Sequence, residues 1–560
     1  MLLLLKSIVT NIPFSIRLYI LWRKSNILWN TKISPFVIPD KKKEYLSKTF
    51  FDRKSVSKKK GPVVLVSRDI AFTFPLSYAY LAGYLKEKGV DVVILFKNIG
   101  QDELVKKIKK LHPILVGFGN LYPELEEISS IIYKLNQSGR DFPIVIGGQM
   151  FSPIPEFAMK LTGADYGVIG EGEIILYKLV KALQKNSDLS KIKGLVIRDK
   201  DKITINDGGE YIDDLSKLPK IPYELFDVDK WLLIGRWFTQ FRPEQPHWRF
   251  DDRVINVHGG RGCPFKCNFC YHHNKPRYRD INDMMDEAEK ALERFDANML
   301  YFSDDLVIAN PQRVRELIAR VKRLKRPISY KISTRFDILE RLSDELLKEL
   351  HETGCRIIGL GVESGSNRIL KLVGKNTTSE KILKGLKRIK QSGILPTVSV
   401  MVGQYTETRE DVEKSFELMK KAVKTNPLIS FAFTITTPFP GSILYDILFA
   451  KKLLKSDEDF YYRYIAGKVG PWNQVVNMSS MSDYEVIKLR NELEKSYNEE
   501  RLKALGEERF EKITRICNKQ RRAAEVFESK TKREKKRDEA AYSEEQLELE
   551  NEKLSLMGVA

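Results

Sequence analysis

From residue 62 to residue 169 short apolar runs alternate with amphipathic stretches, the pattern of strands and helices wound into a parallel sheet. The apolar runs predict strands over residues 62–66, 91–96, 114–119, 144–146 and 166–169. A helical period lies between them, for example over 76–88 and 121–134. A hairpin is predicted over 194–197 and 203–205, ahead of a connector punctuated by Pro219, Pro222, Pro243 and Pro246. A second alternation begins at Val254, with strands predicted over 254–258, 299–303, 329–334, 356–362, 397–402 and 430–436. Six such units fall short of the eight that close a barrel, so an open, partial (βα)6 barrel is expected, its chemistry at the carboxyl ends of the strands. Beyond Trp472 the strands cease and the pattern turns helical and polar.

These changes divide the chain into an apolar and basic N-terminal segment (1–60), a doubly wound domain (61–190), a connector (191–250), a partial barrel (251–450), a helical region (451–520) and a charged tail (521–560). The tail reads as a solvated helix or a disordered extension. Five strands in the first domain suit a flavodoxin-like sheet, whose ligand sits beyond the strand carboxyl ends. The fold class is therefore α/β with a helical C-terminal region. The N-terminal 22 residues are apolar but interrupted by Lys6, Pro13 and Arg17 before a membrane-spanning length accumulates. They lack the basic start and small-residue cleavage site of a signal peptide. An interfacial helix with Arg17, Arg23 and Lys24 on its polar side and a helix packed on the protein body remain open.

Composition narrows the functional classes. There are 95 Lys and Arg against 75 Asp and Glu, a formal charge of +20 that favours anionic partners without choosing among them. No basic–aromatic module points to nucleic acid, and none is expected as partner. Three of the five cysteines, Cys263, Cys267 and Cys270, occupy one short loop, whereas Cys355 and Cys517 stand apart. There is no disulfide framework, which suits a reducing cytoplasm. Three thiolates can hold three irons of a 4Fe–4S cube and leave the fourth open to a substrate. A zinc site completed by His258, His272 or His273 is the alternative from the loop alone.

The second domain also gathers polar residues at successive strand ends: Ser303, Asp304 and Asp305; Ser333, Thr334 and Arg335; Glu363; and the run Gly403 to Thr408. Carboxylates there suit an ammonium or ribose hydroxyls, and a guanidinium suits a carboxylate. Each residue alone also has a structural explanation, such as a helix cap.

The motif Arg-Gly-Cys-Pro-Phe-Lys-Cys-Asn-Phe-Cys-Tyr resembles the signature of radical S-adenosylmethionine enzymes. The blocks Val-Glu-Ser-Gly-Ser (from Val362) and Pro-Phe-Pro-Gly-Ser (from Pro438) are similar to those of one subfamily. The preceding domain, with Ile-Gly-Gly-Gln (from Ile146) and Gly-Glu-Gly-Glu (from Gly170), resembles the cobalamin-binding domain of the cobalamin-dependent, or class B, members. The resemblance implies a 4Fe–4S cluster on Cys263, Cys267 and Cys270. It implies S-adenosylmethionine contacts at Phe269, Ser303, Asp304, Ser333, Arg335 and Glu363, and cobalamin contacts at Asn120, Gly147, Gly148, Gln149, Gly170 and Glu171. The first loop, from Ser67 to Phe72, carries no histidine, so no histidine ligand to cobalt is expected, and Tyr405 stands where the family block usually has proline. The implied activity is radical methylation of an unactivated carbon in a lipid, a peptide or a secondary metabolite. Cyclisation or rearrangement without methyl transfer is the alternative, and a non-catalytic cobalamin or redox sensor the third. The implied partners are a small-molecule or lipid substrate and an electron donor such as flavodoxin or ferredoxin, in the cytoplasm, with peripheral membrane contact through the N-terminus.

If the N-terminal segment lies in the interface, deleting residues 1–29 will lower co-sedimentation with anionic liposomes and leave cluster content intact. Equal sedimentation of both forms would favour packing on the protein body.

Overall fold

The computed structural model describes residues 61–67, 74–119, 124–149, 151–232, 252–271, 275–465 and 476–529, with short helical pieces between 545 and 556. The N-terminal segment, Asn120, His272, His273 and most of the charged tail lie outside the described residues.

The first sheet contains β1 (Val63–Ser67), β2 (Val92–Phe96), β3 (Leu115–Gly119), β4 (Ile144–Gly147) and β5 (Tyr166–Val168), all parallel, in the order β2-β1-β3-β4-β5. This is the flavodoxin-like order expected from the alternation, with its switch point between β1 and β3. Its helices are α1 (Leu76–Glu87), α2 (Gln101–Lys110), α3 (Leu125–Gln137), α4 (Pro155–Thr162) and α5 (Gly172–Lys185). Every residue of β1 is buried, because helices cover both faces of a parallel sheet. Val63 and Leu65 pack on the side of α1 and α5; Val64 and Val66 pack with α2, α3 and α4.

The hairpin β6 (Leu195–Asp199) and β7 (Lys202–Ile205) extends this sheet antiparallel to β5. A buried carboxylate holds it there. Asp165 accepts from the Ile144 amide at 2.7 Å and from the fork of Arg140 at 2.8 and 3.0 Å, and Arg198 of β6 lies 3.8 Å away. Arg198 also donates to the Gly163 and Ala164 carbonyls.

The second sheet starts with β8 (Val254–Val257). A two-residue ribbon follows, β9 (Gly260–Arg261) paired antiparallel with β10 (Arg277–Tyr278), and the cysteine loop runs between its strands. Then come β11 (Met299–Phe302), β12 (Ser329–Thr334), β13 (Cys355–Glu363), β14 (Leu395–Val402) and β15 (Ser430–Ile435). Among the described residues the six long strands pair in parallel from β8 through β11 to β15, with no closing β15–β8 ladder. This is the open, partial barrel. Its outer layer is α6 (Ile281–Arg294), α7 (Pro311–Val321), α8 (Asp344–Glu352), α9 (Ser379–Ser392) and α10 (Arg409–Thr425). Along β12, Tyr330, Ile332 and Thr334 are buried while Ser329, Lys331 and Ser333 on the other face are half-buried, so the lumen is lined by polar groups.

Helix α11 (Asp483–Leu505), the first of two long helices that follow the barrel, caps the β15 side. Its Arg490, Tyr497 and Arg501 donate to the carbonyls of Phe433, Ile429 and Pro427 at 3.0, 2.7 and 3.0 Å. At the other edge Phe74 donates its amide to Asn256 of β8 at 3.2 Å and packs with Tyr223, Phe226 and Trp231 of the connector. Both apolar layers of the first sheet continue into the barrel half, one through α1 and α5 and the other through Leu444, Tyr445 and Phe460. Among the described residues no helix is long and apolar enough to cross a membrane.

Replacing Asp165 by alanine strands two buried guanidinium groups, so unfolding in denaturant should show a loss of about 3–5 kcal/mol. A loss near that of a surface substitution would show that Arg140 and Arg198 re-pair without it.

Candidate functional site

The carboxyl ends of the two sheets face each other. Between them lies a cavity of about 440 Å³, walled on one side by Gly119, Gly147, Gly148, Gln149 and Gly170, and on the other by His258, Arg261, Gly262, Tyr271 and Ser303.

The wall from the first sheet is mostly bare backbone. Gly148 and Gly170 take φ of +87° and +83°, a region that only glycine enters cheaply. At Gly117, beneath them in β3, a Cβ would lie 2.8 Å from Leu65. Two hydroxyls fix the turns. Tyr78 of α1 donates to the Val66 carbonyl and accepts from the Gly119 amide, both at 2.9 Å, tying the ends of β1 and β3 at the switch point. Ser152 donates to the Gly148 carbonyl at 3.1 Å and accepts from the Gly170 amide at 3.0 Å. Such a concave, glycine-lined surface fits a large flat ligand that must approach the main chain closely. Glu171, expected among the ligand contacts, also lines this cavity, where it pairs with Arg261 and Arg277 of the ribbon.

The cysteine loop is built by its surroundings. Asn268 donates from its amide to Val373 and from its side chain to Leu372, and its carbonyl accepts from the Leu444 amide at 3.0 Å. Gly374, at φ +79°, lets the loop come so close that a Cβ there would lie 2.9 Å from the Lys266 carbonyl. Asp304 secures the turn before β9: one carboxylate oxygen accepts from the Gly259 and Gly260 amides at 2.7 and 2.8 Å, and the other has no partner. Burial pushes the Asp304 carboxyl up to about 7, against those amides and Arg313.

Cys267 is buried, and Cys263 and Cys270 are half-buried. The Cys267 thiol is held below its ordinary range by its hydrogen bond with Cys270, then by Lys375 and Arg335. The same bond raises Cys270, and burial raises Cys263. Arg335 donates to the Cys267 sulfur at 3.1 Å, lies 3.7 Å from the Phe265 ring centre and grips both oxygens of Asp337 at 2.9 and 3.0 Å. Its guanidinium is thus committed to the loop rather than open to an incoming carboxylate. Glu363 sits at φ +64°, with Lys375 2.9 Å from one oxygen and the Ser399 hydroxyl donating to the other at 3.3 Å. Ser303 accepts from Asn256 at 2.9 Å, Ser333 lies beside its register partner Gly359 on the neighbouring strand β13, and the Phe269 ring centre lies 5.9 Å from the Lys375 ammonium.

Among the described residues no three His, Cys, Asp or Glu side chains converge on a single metal-ion position. A mononuclear site needs such convergence; a cubane does not, because each thiolate meets a different iron. His258 is pushed down to about 3 by burial and by Arg261, Arg279 and Arg277. The donor set of three sulfurs beside two cations fits a cluster whose thiolate charge must be offset.

In metal-free protein, thiolate ultraviolet absorbance should reveal one cysteine titrating below the usual thiol value of roughly 8.5. Arg335→Gln removes a cation that favours the thiolate and should move that titration up by about one unit or more. An unmoved curve would mean that Cys270 and Lys375 set it without Arg335.

Residues 64–180 match the B12 binding domain model, and residues 257–419 match the Radical SAM superfamily model. An uncharacterized methyltransferase of Pyrococcus horikoshii is 28% identical over 68% of this chain and 79% of its own length. An anaerobic magnesium-protoporphyrin IX monomethyl ester cyclase of Rubrivivax gelatinosus is 26% identical, over 68% of this chain and 67% of its own length. The fold is shared with the radical S-adenosylmethionine methyltransferase TsrM of Kitasatospora setae, solved with cobalamin and a 4Fe–4S cluster bound. That match has a TM-score of 0.56 and 18% identity, over 69% of this chain and 77% of that one. With both family models matched in that order and the two strand-end surfaces facing across one cavity, the chain belongs to the cobalamin-dependent radical S-adenosylmethionine enzymes.

Proposed function

We propose that this enzyme methylates an unactivated carbon of a lipid, a peptide or a secondary metabolite, with the reacting carbon held in the cavity between the two sheets. The observation that carries this reading is the shared wall. The glycine turns at the ends of β4 and β5 and the residues flanking the cysteine loop line the same space. When bound, the 4Fe–4S cluster supplies one-electron cleavage of S-adenosylmethionine, and cobalamin supplies methyl carriage.

The chain's own residues bind, orient and exclude water. Cys263, Cys267 and Cys270 hold the cluster, with Arg335 and Lys375 offsetting the charge of Cys267. Ser303, Ser333 and Phe269 line the place for S-adenosylmethionine. Asp304 offers its one unpartnered oxygen to the ammonium, and Glu363, steadied by Lys375 and Ser399, turns toward the ribose. Gly147, Gly148, Gln149 and Gly170 form the cobalamin cradle, and Asn120 belongs to the same set by its position after β3. The substrate is a small molecule or a lipid. A protein such as flavodoxin or ferredoxin would be the electron donor for the group that Cys263, Cys267 and Cys270 would hold. We place the enzyme in the cytoplasm, with the N-terminal segment as the element through which it would touch a membrane.

The relative from Rubrivivax gelatinosus keeps cyclisation as the second reading. The anaerobic assay separates the two. Methyl-labelled S-adenosylmethionine should put label into product, with S-adenosylhomocysteine and 5′-deoxyadenosine formed in comparable amounts. Deoxyadenosine without label transfer moves the assignment to cyclisation. Changing Cys263, Cys267 and Cys270 together to alanine should abolish iron, sulfide and both products. A bulky side chain at Gly148, which would also force φ +87° on a residue with a Cβ, should abolish cobalamin binding and spare the cluster.

A further inference from the structure

Three contacts tie the cysteine loop to the opposite sheet. Ahead of the loop, Arg261 of β9 donates to Glu173 at 2.6 Å and lies 2.9 Å from Glu171. Behind it, Arg277 of β10 grips both oxygens of Glu171 and donates to the Ile212 carbonyl at 2.7 Å. At the loop itself, Tyr271, next to Cys270, lines the same cavity as Ser152, the hydroxyl that joins the turns bearing Gly148 and Gly170. The four charged side chains are between 5% and 11% exposed.

Adhesion does not require these charges. A continuous apolar layer already joins the two halves through α1, α5 and the barrel core. A buried ion pair adds little net stability over apolar packing, because desolvation cancels most of the attraction. A guanidinium fork on a carboxylate does fix direction and distance, more sharply than apolar contact can. The pairs also bracket the loop: Arg261 lies two residues before Cys263, and Arg277 seven after Cys270. Burial, with Arg261, Arg279 and Arg277, keeps the adjacent His258 neutral, so the positive charge facing the carboxylates belongs to the guanidinium groups. Burial would raise Glu171, yet the arginines hold it below the ordinary carboxylate range.

We propose that Glu171 and Glu173, through Arg261 and Arg277, are positioning residues that set the separation and orientation of the cysteine loop relative to the glycine cradle. This rests on reading that cradle as the cobalamin site. It assigns the two carboxylates to the join between the sites instead of to either ligand. Radical transfer between two fixed centres tolerates little slack, since a misplacement of about 1 Å can cost about a hundredfold in rate.

The test uses the full chain, loaded anaerobically with cluster and hydroxocobalamin, then reduced so that both centres are paramagnetic. Pulsed dipolar spectroscopy reads the distance distribution between the reduced cluster and cob(II)alamin. The wild type should give one narrow distribution. Glu173→Gln keeps size and leaves Glu171 to balance the arginines, and should broaden or shift the distribution with iron and cobalamin contents unchanged. Arg261→Lys keeps the charge but loses the fork, and should broaden it too; exchanging the pair as Glu171→Arg with Arg277→Glu should narrow it again relative to Glu171→Gln. An unchanged distribution in Glu173→Gln and Arg261→Lys overturns the proposal. So does a loss of cobalamin from Glu171→Gln with no change of distance in the loaded fraction, which would make Glu171 a direct ligand contact. If the wild type takes up no cobalamin, the cradle reading itself fails. Amide exchange in the cofactor-free chain then decides the join: faster exchange at Gly260, Arg261, Arg277 and Tyr278 in Glu173→Gln supports it, and equal exchange overturns it.

Discussion

Charge buried between two sheets must be matched on the spot, and that requirement organises this molecule. Glu171 and Glu173 start the helix after β5, while Arg261 and Arg277 form the short ribbon after β8. Both pairs are largely buried, so each sheet completes the other's electrostatics. The ribbon is two residues long in each strand, too short to be stable as an isolated hairpin. It persists because its arginines are anchored across the gap. The loop carrying the three cysteines therefore inherits its shape from the opposite domain as well as from its own barrel.

The two parallel sheets supply what loops alone cannot, a pair of rigid rims. In both, the strand carboxyl ends converge on one side, and the polar residues placed there by the alternation meet across one cavity. The order of events in the chain matters less than this juxtaposition. Tyr78 and Ser152 stiffen one rim, and Asp304 and Asn268 stiffen the other, each by bonding main chain.

Strand positions were legible because a parallel strand buried on both faces reads as a continuous apolar run, as Val63 to Val66 does. The cysteine spacing was legible because three thiols in eight residues have few other uses. Local pattern could not reveal which polar residues at strand ends would be spent on the protein itself. Arg335 was expected at a ligand and is taken up by Cys267, Phe265 and Asp337; Glu171 is taken up by two arginines far along the chain. The ribbon of β9 and β10 went unforeseen, since two residues carry no period. Tyr78 and Ser152 gave no signal either, because a hydroxyl that caps a turn looks like any other in sequence. The hairpin of β6 and β7 was visible, but its addition to the first sheet depends on Arg198 reaching Asp165, a contact that sequence pattern does not announce.

The join between the halves bears on how the chain is made. Synthesis delivers the first sheet before the barrel exists. At that stage Glu171 and Glu173 have no guanidinium partners, and the apolar surface on the α1 and α5 side that continues into the barrel core faces water. The nascent first half is thus a semi-finished object, held in readiness until roughly a hundred further residues emerge and supply Arg261 and Arg277. The cysteine loop therefore lacks its contacts to the first sheet until the two halves have met.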